Sequence, residues 1–269
     1  MRPAGRRPGH RRPRFVEWRV LLERRFTTAY RVWDRAAGRW RFVKCCADER
    51  AARRELAVLR ALPAHPSLVR VRGLLVLSGR SCLMMEWVPG RSLRQVIQRR
   101  GPLPAEEAVA IACQILEALD AVHRRGFVHG DLHDGNVLVA TGGQRRVALV
   151  DFEHAVPKDG SGRARACRQL APVPPHLPPE LSTGLLDDRS DLYGVGFLCA
   201  SMLLGRRPRP GEIQARAQPA SADHGPARTP ADQVVWQVIA TATHRSPEGR
   251  YPSARAMLAA LRRAVASGP

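Results

Sequence analysis

Asp131, Asn136 and Asp151 are the residues whose types and spacing carry chemistry. They lie in FVHGDLHDGNVLVATGGQRRVALVDFE, where two apolar strand-like runs, NVLVA and RVALVDF, flank a turn at Gly142 and Gly143. In a hairpin centred there, residues whose numbers sum to about 287 face one another, and Asn136 and Asp151 meet that sum. Directly opposed residues of an antiparallel pair have Cα atoms about 4.5 to 5.5 Å apart, close enough for an amide oxygen and a carboxylate to share one hard cation such as Mg²⁺. Asp131, five residues before Asn136 in a glycine-containing loop, is placed to accept a proton from a hydroxyl attacking a phosphate on that cation. The strand that delivers Asp151 ends as LVDFEHA, so a second carboxylate, Glu153, follows closely.

The elements that must hold these groups follow from periodicity. FVEWRVLL, TTAYRVW and WRFVKCC, with a turn at Ala36, Ala37 and Gly38, predict a small antiparallel sheet. In DERAARRELAVLRAL the leucines at 56, 59 and 62 share one helical face until Pro63 and Pro66 stop it. Two further strand-like runs, LVRVRGLLVL and SCLMMEWV, lead to Pro89 and Gly90, a natural lobe boundary. Helical patterns dominate afterwards: SLRQVIQRR, the long AEEAVAIACQILEALDAVHRR, RSDLYGVGFLCASMLLG, ADQVVWQVIATATH and SARAMLAALRRAV. Residues 206–230, rich in Pro, Ala and Arg, read as a loop or a poorly ordered connection.

Composition narrows the function classes. The formal charge of +20 comes from 44 basic residues, of which only Lys44 and Lys158 are lysines. The other 42 are arginines spread over the chain among abundant Ala, Gly and Pro, the signature of GC-rich coding, with no interleaved stacking aromatics. No specific nucleic-acid partner is therefore expected. The six cysteines show no CxxC spacing and read as reduced structural thiols. No run approaches the roughly 20 apolar residues of a membrane span, and Met1–Arg14 lacks the hydrophobic segment of a signal peptide, so a soluble cytoplasmic protein with a basic, disordered tail at 1–14 is expected.

His129-Gly130-Asp131-Leu132, then Asn136, then Asp151-Phe152 resemble the catalytic loop and metal-binding motif of the protein kinase-like superfamily, and the likeness covers nearly the whole chain. It implies an α+β, two-lobed fold: a small antiparallel sheet with one helix over 15–88, then a larger, mainly helical lobe over 89–265. By the same resemblance Lys44 reaches the α and β phosphates of ATP and Glu55 pairs with that lysine. Glu55 follows Lys44 by only eleven positions, which keeps Glu49 as the alternative. The backbone at Glu86 and Val88 would hold adenine behind the gatekeeper Met85, Asn136 and Asp151 would hold Mg²⁺, and Asp131 would be catalytic. Pro178-Pro179-Glu180, Asp191 in DDRSDLYGVG and Arg250 in PEGRYPSA are similar to features typical of bacterial Ser/Thr kinases, with Glu180 and Arg250 expected to pair.

The departures from that pattern are informative. Leu22, Arg24 and Thr27 occupy the positions of a glycine-rich loop, which implies strain there and weakened ATP binding, with Arg24 or Arg25 as substitute phosphate contacts. Gly130 stands where many protein kinases have arginine, and residues 154–177 contain no Thr or Tyr and only Ser161. These two absences agree on activity without activation-loop phosphorylation. His133 replaces a lysine two residues after Asp131 and is a candidate donor to the γ-phosphate. HGDLHxGN followed by DFE is similar to aminoglycoside and choline phosphotransferases. The resemblance thus implies ATP- and Mg²⁺-dependent phosphoryl transfer to Ser or Thr of a protein. A binding module without turnover and a small-molecule kinase stand as alternatives, and the oligomeric state is left open.

Overall fold

Alternating apolar and polar side chains make three consecutive strands, β1 (Phe15–Glu23), β2 (Thr27–Asp34) and β3 (Arg39–Cys46), and β4 (Val71–Leu77) and β5 (Arg80–Glu86) complete an antiparallel sheet of order β1-β2-β3-β5-β4. This computed structural model describes residues 13–140, 147–218 and 230–266. The chain divides into two compact units, one running to Ala52 and including Val71–Trp87, the other comprising Arg53–Arg70 and the residues from Val88 onward.

In the first unit the sheet buries Val32, Val43, Cys45, Cys82 and Met84 on one face. Register places Ala29 of β2 and Leu83 of β5 directly on either side of Lys44, so the lysine sits on the central strand and is only 6% exposed. Buried Asp34 accepts two hydrogen bonds from Arg14, both 3.0 Å, which ties down the last residue of the expected tail. The β1–β2 turn is closed by reciprocal bonds, Arg24 N–H to Thr27 C=O at 2.9 Å and Thr27 N–H to Arg24 C=O at 3.3 Å. None of Leu22, Arg24 and Thr27 has a positive φ, so the strain expected from losing glycine is not present: this turn is built so that it needs none. The cysteine expectation also needs correction. β3 pairs with β5, which sets Cys45 opposite Cys82, and the two form a disulfide.

Helix α1 (Glu49–Ala61) opens with the Asp48 carboxylate accepting from Arg50 N–H at 2.8 Å and closes before Pro63, with Glu49 in its first turn and Arg60 in its last, as the helix dipole favours. The division between the units falls within this helix.

In the second unit β6 (Gly90–Ser92) leads into α2 (Leu93–Arg100), which starts with a capping box between Ser92 and Gln95. Next come α3 (Ala105–Arg124) and β7 (Phe127–Val128), then β8 (Val137–Ala140) and β9 (Val147–Leu149), which with β6 form a sheet of order β6-β8-β9. β10 (Val156–Pro157) pairs with β7, and β11 (Ala164–Arg165) pairs with β12 (Leu185–Leu186). The helices α4 (Asp188–Leu204), α5 (Glu212–Ala217), α6 (Pro230–Ala242) and α7 (Ala254–Ala266) follow. α4 is buried around nearly its whole circumference, as a helix apolar on all sides must be, and that burial pushes the Cys199 thiol up to about 12.

Two expectations are corrected in this unit. The segment read as a connection contains α5, whose Glu212 carboxylate is held by both terminal nitrogens of Arg206, at 2.8 and 2.9 Å. The β8–β9 register pairs Val137 with Leu149 and Leu138 with Ala148, one residue from the predicted sum. Asn136 therefore lies opposite Val150, whose N–H donates to its carbonyl at 3.0 Å, and Asp151 falls beyond the ladder. The predicted turn at Gly142 and Gly143 lies outside the described residues. Among the described residues no helix is long and apolar enough to cross a membrane.

With Cys45 and Cys82 joined, alkylation of the denatured, unreduced chain is expected to label four of the six cysteines, read by intact mass. Cys82→Ser should lower unfolding free energy by about 2–4 kcal/mol in urea melts.

Candidate active site

The site of the second unit is built outward from Asp191 in the first turns of α4. Its carboxylate is 1% exposed and accepts from the backbone N–H of His129 and of Gly130, each at 2.9 Å, while His123 Nε2 lies 2.8 Å away. Burial alone would raise the pKa of Asp191, but the hydrogen bond and charge of His123, with smaller help from His129 and the Gly130 amide, bring it below the usual carboxylate range. Gly130 has φ +72°, and a Cβ there would lie 3.0 Å from the His154 carbonyl, so any side chain, arginine included, would be strained at this position. Gly194 lets α4 approach the loop, since a Cβ there would meet Leu132 at 3.0 Å.

Asp131 follows directly in this fixed backbone. Its carbonyl accepts from Asn136 Nδ2 at 3.0 Å, and its Oδ1 accepts from Arg168 Nη2 at 2.6 Å. His133 Nε2 is 3.8 Å from Asp131 Oδ2, beyond hydrogen-bond range, and its Nδ1 accepts from Gly135 N–H at 2.9 Å. Burial, against the pull of Asp131 and Asp134, holds the His133 imidazole below its ordinary pKa. An accepting Nδ1 and a depressed pKa both describe a neutral ring near pH 7. Asp134 is bound by Arg94 at 2.8 Å and Arg207 at 3.2 Å, which together keep its carboxyl below the usual range despite burial.

Asp151 has φ +64°, a left-handed conformation that Asp tolerates better than most residues and that turns the chain at the end of β9. The next residue, Phe152, is fully buried: its N–H donates to Glu55 Oε1 at 3.2 Å and its ring lies 4.7 Å from that of His129. Glu55 is 1% exposed, whereas Glu49 is exposed. Carboxylate oxygens of Glu55, Asp151 and Glu153 come within 4.8 Å of one another, an all-oxygen donor set that suits a hard divalent cation and not a soft one.

Further along, Glu180 and Arg250 form a two-pronged pair at 2.7 and 2.8 Å, with the arginine side chain fully buried and also bound to three carbonyls. Ser190 Oγ donates to the same glutamate at 2.7 Å. In the first unit Lys44 keeps the central position described above, Met85 is buried opposite Phe42, and the Glu86 side chain pairs with Arg72. Lys158, the other lysine, binds Asp188 at 2.7 Å. Arg168, Arg94 and Arg207 were not singled out by sequence. In a chain with 42 arginines, residue type carries no signal for three of them.

Comparison with known proteins adds the following. The profile of the family described as Protein kinase domain matches residues 26–252. The chain is 35% identical over 219 residues to the serine/threonine-protein kinase PkaA of Streptomyces coelicolor, covering 80% of this chain and 39% of that protein. It is 34% identical over 185 residues to the serine/threonine-protein kinase PknL of Mycobacterium tuberculosis, covering 66% and 46% respectively. It is 34% identical over 165 residues to the serine/threonine-protein kinase pkn2 of Myxococcus xanthus, covering 60% and 20%. The chain thus spans less than half the length of these curated relatives.

The folded-state pKa of Asp191 lies below the unfolded value of about 3.9. Ionised Asp191 therefore contributes its full stabilisation above that pH and loses it as pH falls through the folded value. Asp191→Asn is expected to cost about 1–3 kcal/mol at pH 7 and to flatten the acid limb of a stability profile measured by urea unfolding between pH 2 and 7.

Proposed function

This chain belongs to the protein kinase domain family, a two-lobed α+β fold with an N-terminal antiparallel sheet and a helical C-terminal part, and from that premise we propose that it is an active serine/threonine protein kinase using ATP and Mg²⁺. The observation that carries the protein-acceptor reading is the buried Glu180–Arg250 pair, which braces the segment between β11 and α4 and matches a feature typical of protein kinases. The same feature weighs against a small-molecule acceptor, which the likeness of His133 and Glu153 to aminoglycoside phosphotransferases had suggested.

In this reading Asp131 receives the acceptor's hydroxyl proton, held in register by Asn136 Nδ2 on its carbonyl and by the Asp191-anchored backbone before it. Asn136 and Asp151 supply oxygens to the cation, and the carboxylates near Asp151 fit the preference of Mg²⁺ for hard donors. When bound, the cation supplies charge neutralisation of the transferring phosphoryl group. Lys44 positions the phosphates of ATP, Glu55 positions Lys44, and the backbone at Glu86 and Val88 receives adenine. Phosphoryl transfer asks mainly for placement and charge, and those groups are present. Ser161 lies in a turn organised by Asp159, and with no Thr or Tyr in residues 154–177 the activity is independent of activation-segment phosphorylation.

Incubation with labelled ATP and Mg²⁺ is expected to phosphorylate a generic protein acceptor and leave an aminoglycoside panel unlabelled. Asp131→Asn should lower the rate about 100- to 10,000-fold. Undiminished transfer in that variant, or labelling of the aminoglycosides alone, would refute the assignment.

A further inference from the structure

We propose that Arg168 is the cation of the transfer site, fixing Oδ1 of Asp131 through Nη2 and offering its remaining donors to the γ-phosphate of ATP. The inference rests on the kinase reading above and adds a residue to it. It begins with a side chain that offers no fixed cation: the position two residues after Asp131 holds His133. That imidazole is committed through Nδ1 to the Gly135 amide and lies 3.8 Å from the carboxylate, so it supplies no fixed charge.

Arg168 reaches the same carboxylate from elsewhere in the chain, 37 residues on, at 2.6 Å. Its side chain is 35% exposed, open to a substrate on one side. Its Nε is buried and has no hydrogen-bond partner among the described residues. A buried donor left without an acceptor is costly, and one beside a phosphoryl-transfer carboxylate is matched by a phosphate oxygen. A guanidinium has donors enough for both tasks, one edge on Asp131 and another on phosphate, which a single ammonium meets less well.

The arrangement divides the two oxygens of Asp131. Oδ1 is taken by Arg168 and Oδ2 is left for the acceptor hydroxyl. In the transfer the hydroxyl oxygen forms the new bond to the γ-phosphorus, and the bond to the β–γ bridging oxygen breaks with its electron pair leaving on ADP. The hydroxyl proton passes to Oδ2. Arg168 takes no proton; it positions the carboxylate and neutralises charge on the group in transit.

The test compares the parent chain with Arg168→Ala and Arg168→Lys, measuring calorimetric binding of a non-hydrolysable ATP analogue and of ADP with Mg²⁺, and kcat and KM with a protein acceptor. Arg168→Ala is expected to bind the analogue about 10-fold more weakly with ADP affinity unchanged, and to lose about 100-fold in kcat with little change in acceptor KM. Arg168→Lys, which keeps the charge and loses the fork, should fall between. Equal losses for analogue and ADP, no loss for either, or a faster Arg168→Ala enzyme would overturn the proposal. So would an Arg168→Lys chain as impaired as Arg168→Ala with the same drop in melting temperature, which marks a structural role alone. A parent chain that binds neither nucleotide overturns the kinase reading as well. A parent that binds and transfers while Arg168→Ala keeps its analogue affinity overturns this assignment only.

Discussion

An ionised carboxylate enclosed by protein is tolerable only if its lone pairs are satisfied, and Asp191 satisfies them with the backbone of the loop that leads to Asp131. The desolvation of one side chain is thereby turned into a constraint on two consecutive amides. His123, at the end of α3, shares the same carboxylate, so the loop, α3 and α4 meet at one point. Gly194, one turn further along α4, allows the close approach that this requires. Everything downstream in the site inherits its coordinates from here, because Asp131 is the next residue after the anchored pair.

A second constraint meets the first at Phe152. Asp151 accepts an unusual backbone conformation, which costs on the order of 1 kcal/mol and persists only where its surroundings over-determine it. Those surroundings are specific: the Phe152 amide is held by buried Glu55, and its ring packs on His129 of the anchored loop. The bend that aims Asp151 is thus braced by α1 on one side and by the Asp191 network on the other. Glu153 follows with a side chain of its own, so the segment lacks the backbone freedom that a glycine would bring there.

Much of this was legible in the chain itself. The strand alternation, the leucines of α1 and the long apolar face of α3 specify elements strongly, and their boundaries lie within a few residues of the patterns. The one-residue register difference between β8 and β9 had a definite cause: centring the hairpin on two glycines cannot resolve a single position. A slip of that size sends alternate side chains to the opposite face. A positive φ at Asp151 redirects the chain just beyond the ladder, and periodicity carries no trace of that. The Cys45–Cys82 disulfide depended on knowing that β3 neighbours β5, a pairing across about 37 residues that local patterns do not encode. Arg168 was hidden for the opposite reason, since it belongs to the commonest charged type in the chain.

The Glu180–Arg250 pair joins residues 70 positions apart, and this sets an order of events as the chain is made. At about 5–20 residues per second, Glu180 leaves the ribosome several seconds before its partner. During that interval the segment it braces has no guanidinium to dock against, while the five-stranded sheet of the first unit, complete by Glu86, already has all its strands. The segment that faces Asp131 is therefore among the last parts of the second unit to set, because its brace waits on a guanidinium made 70 positions after Glu180.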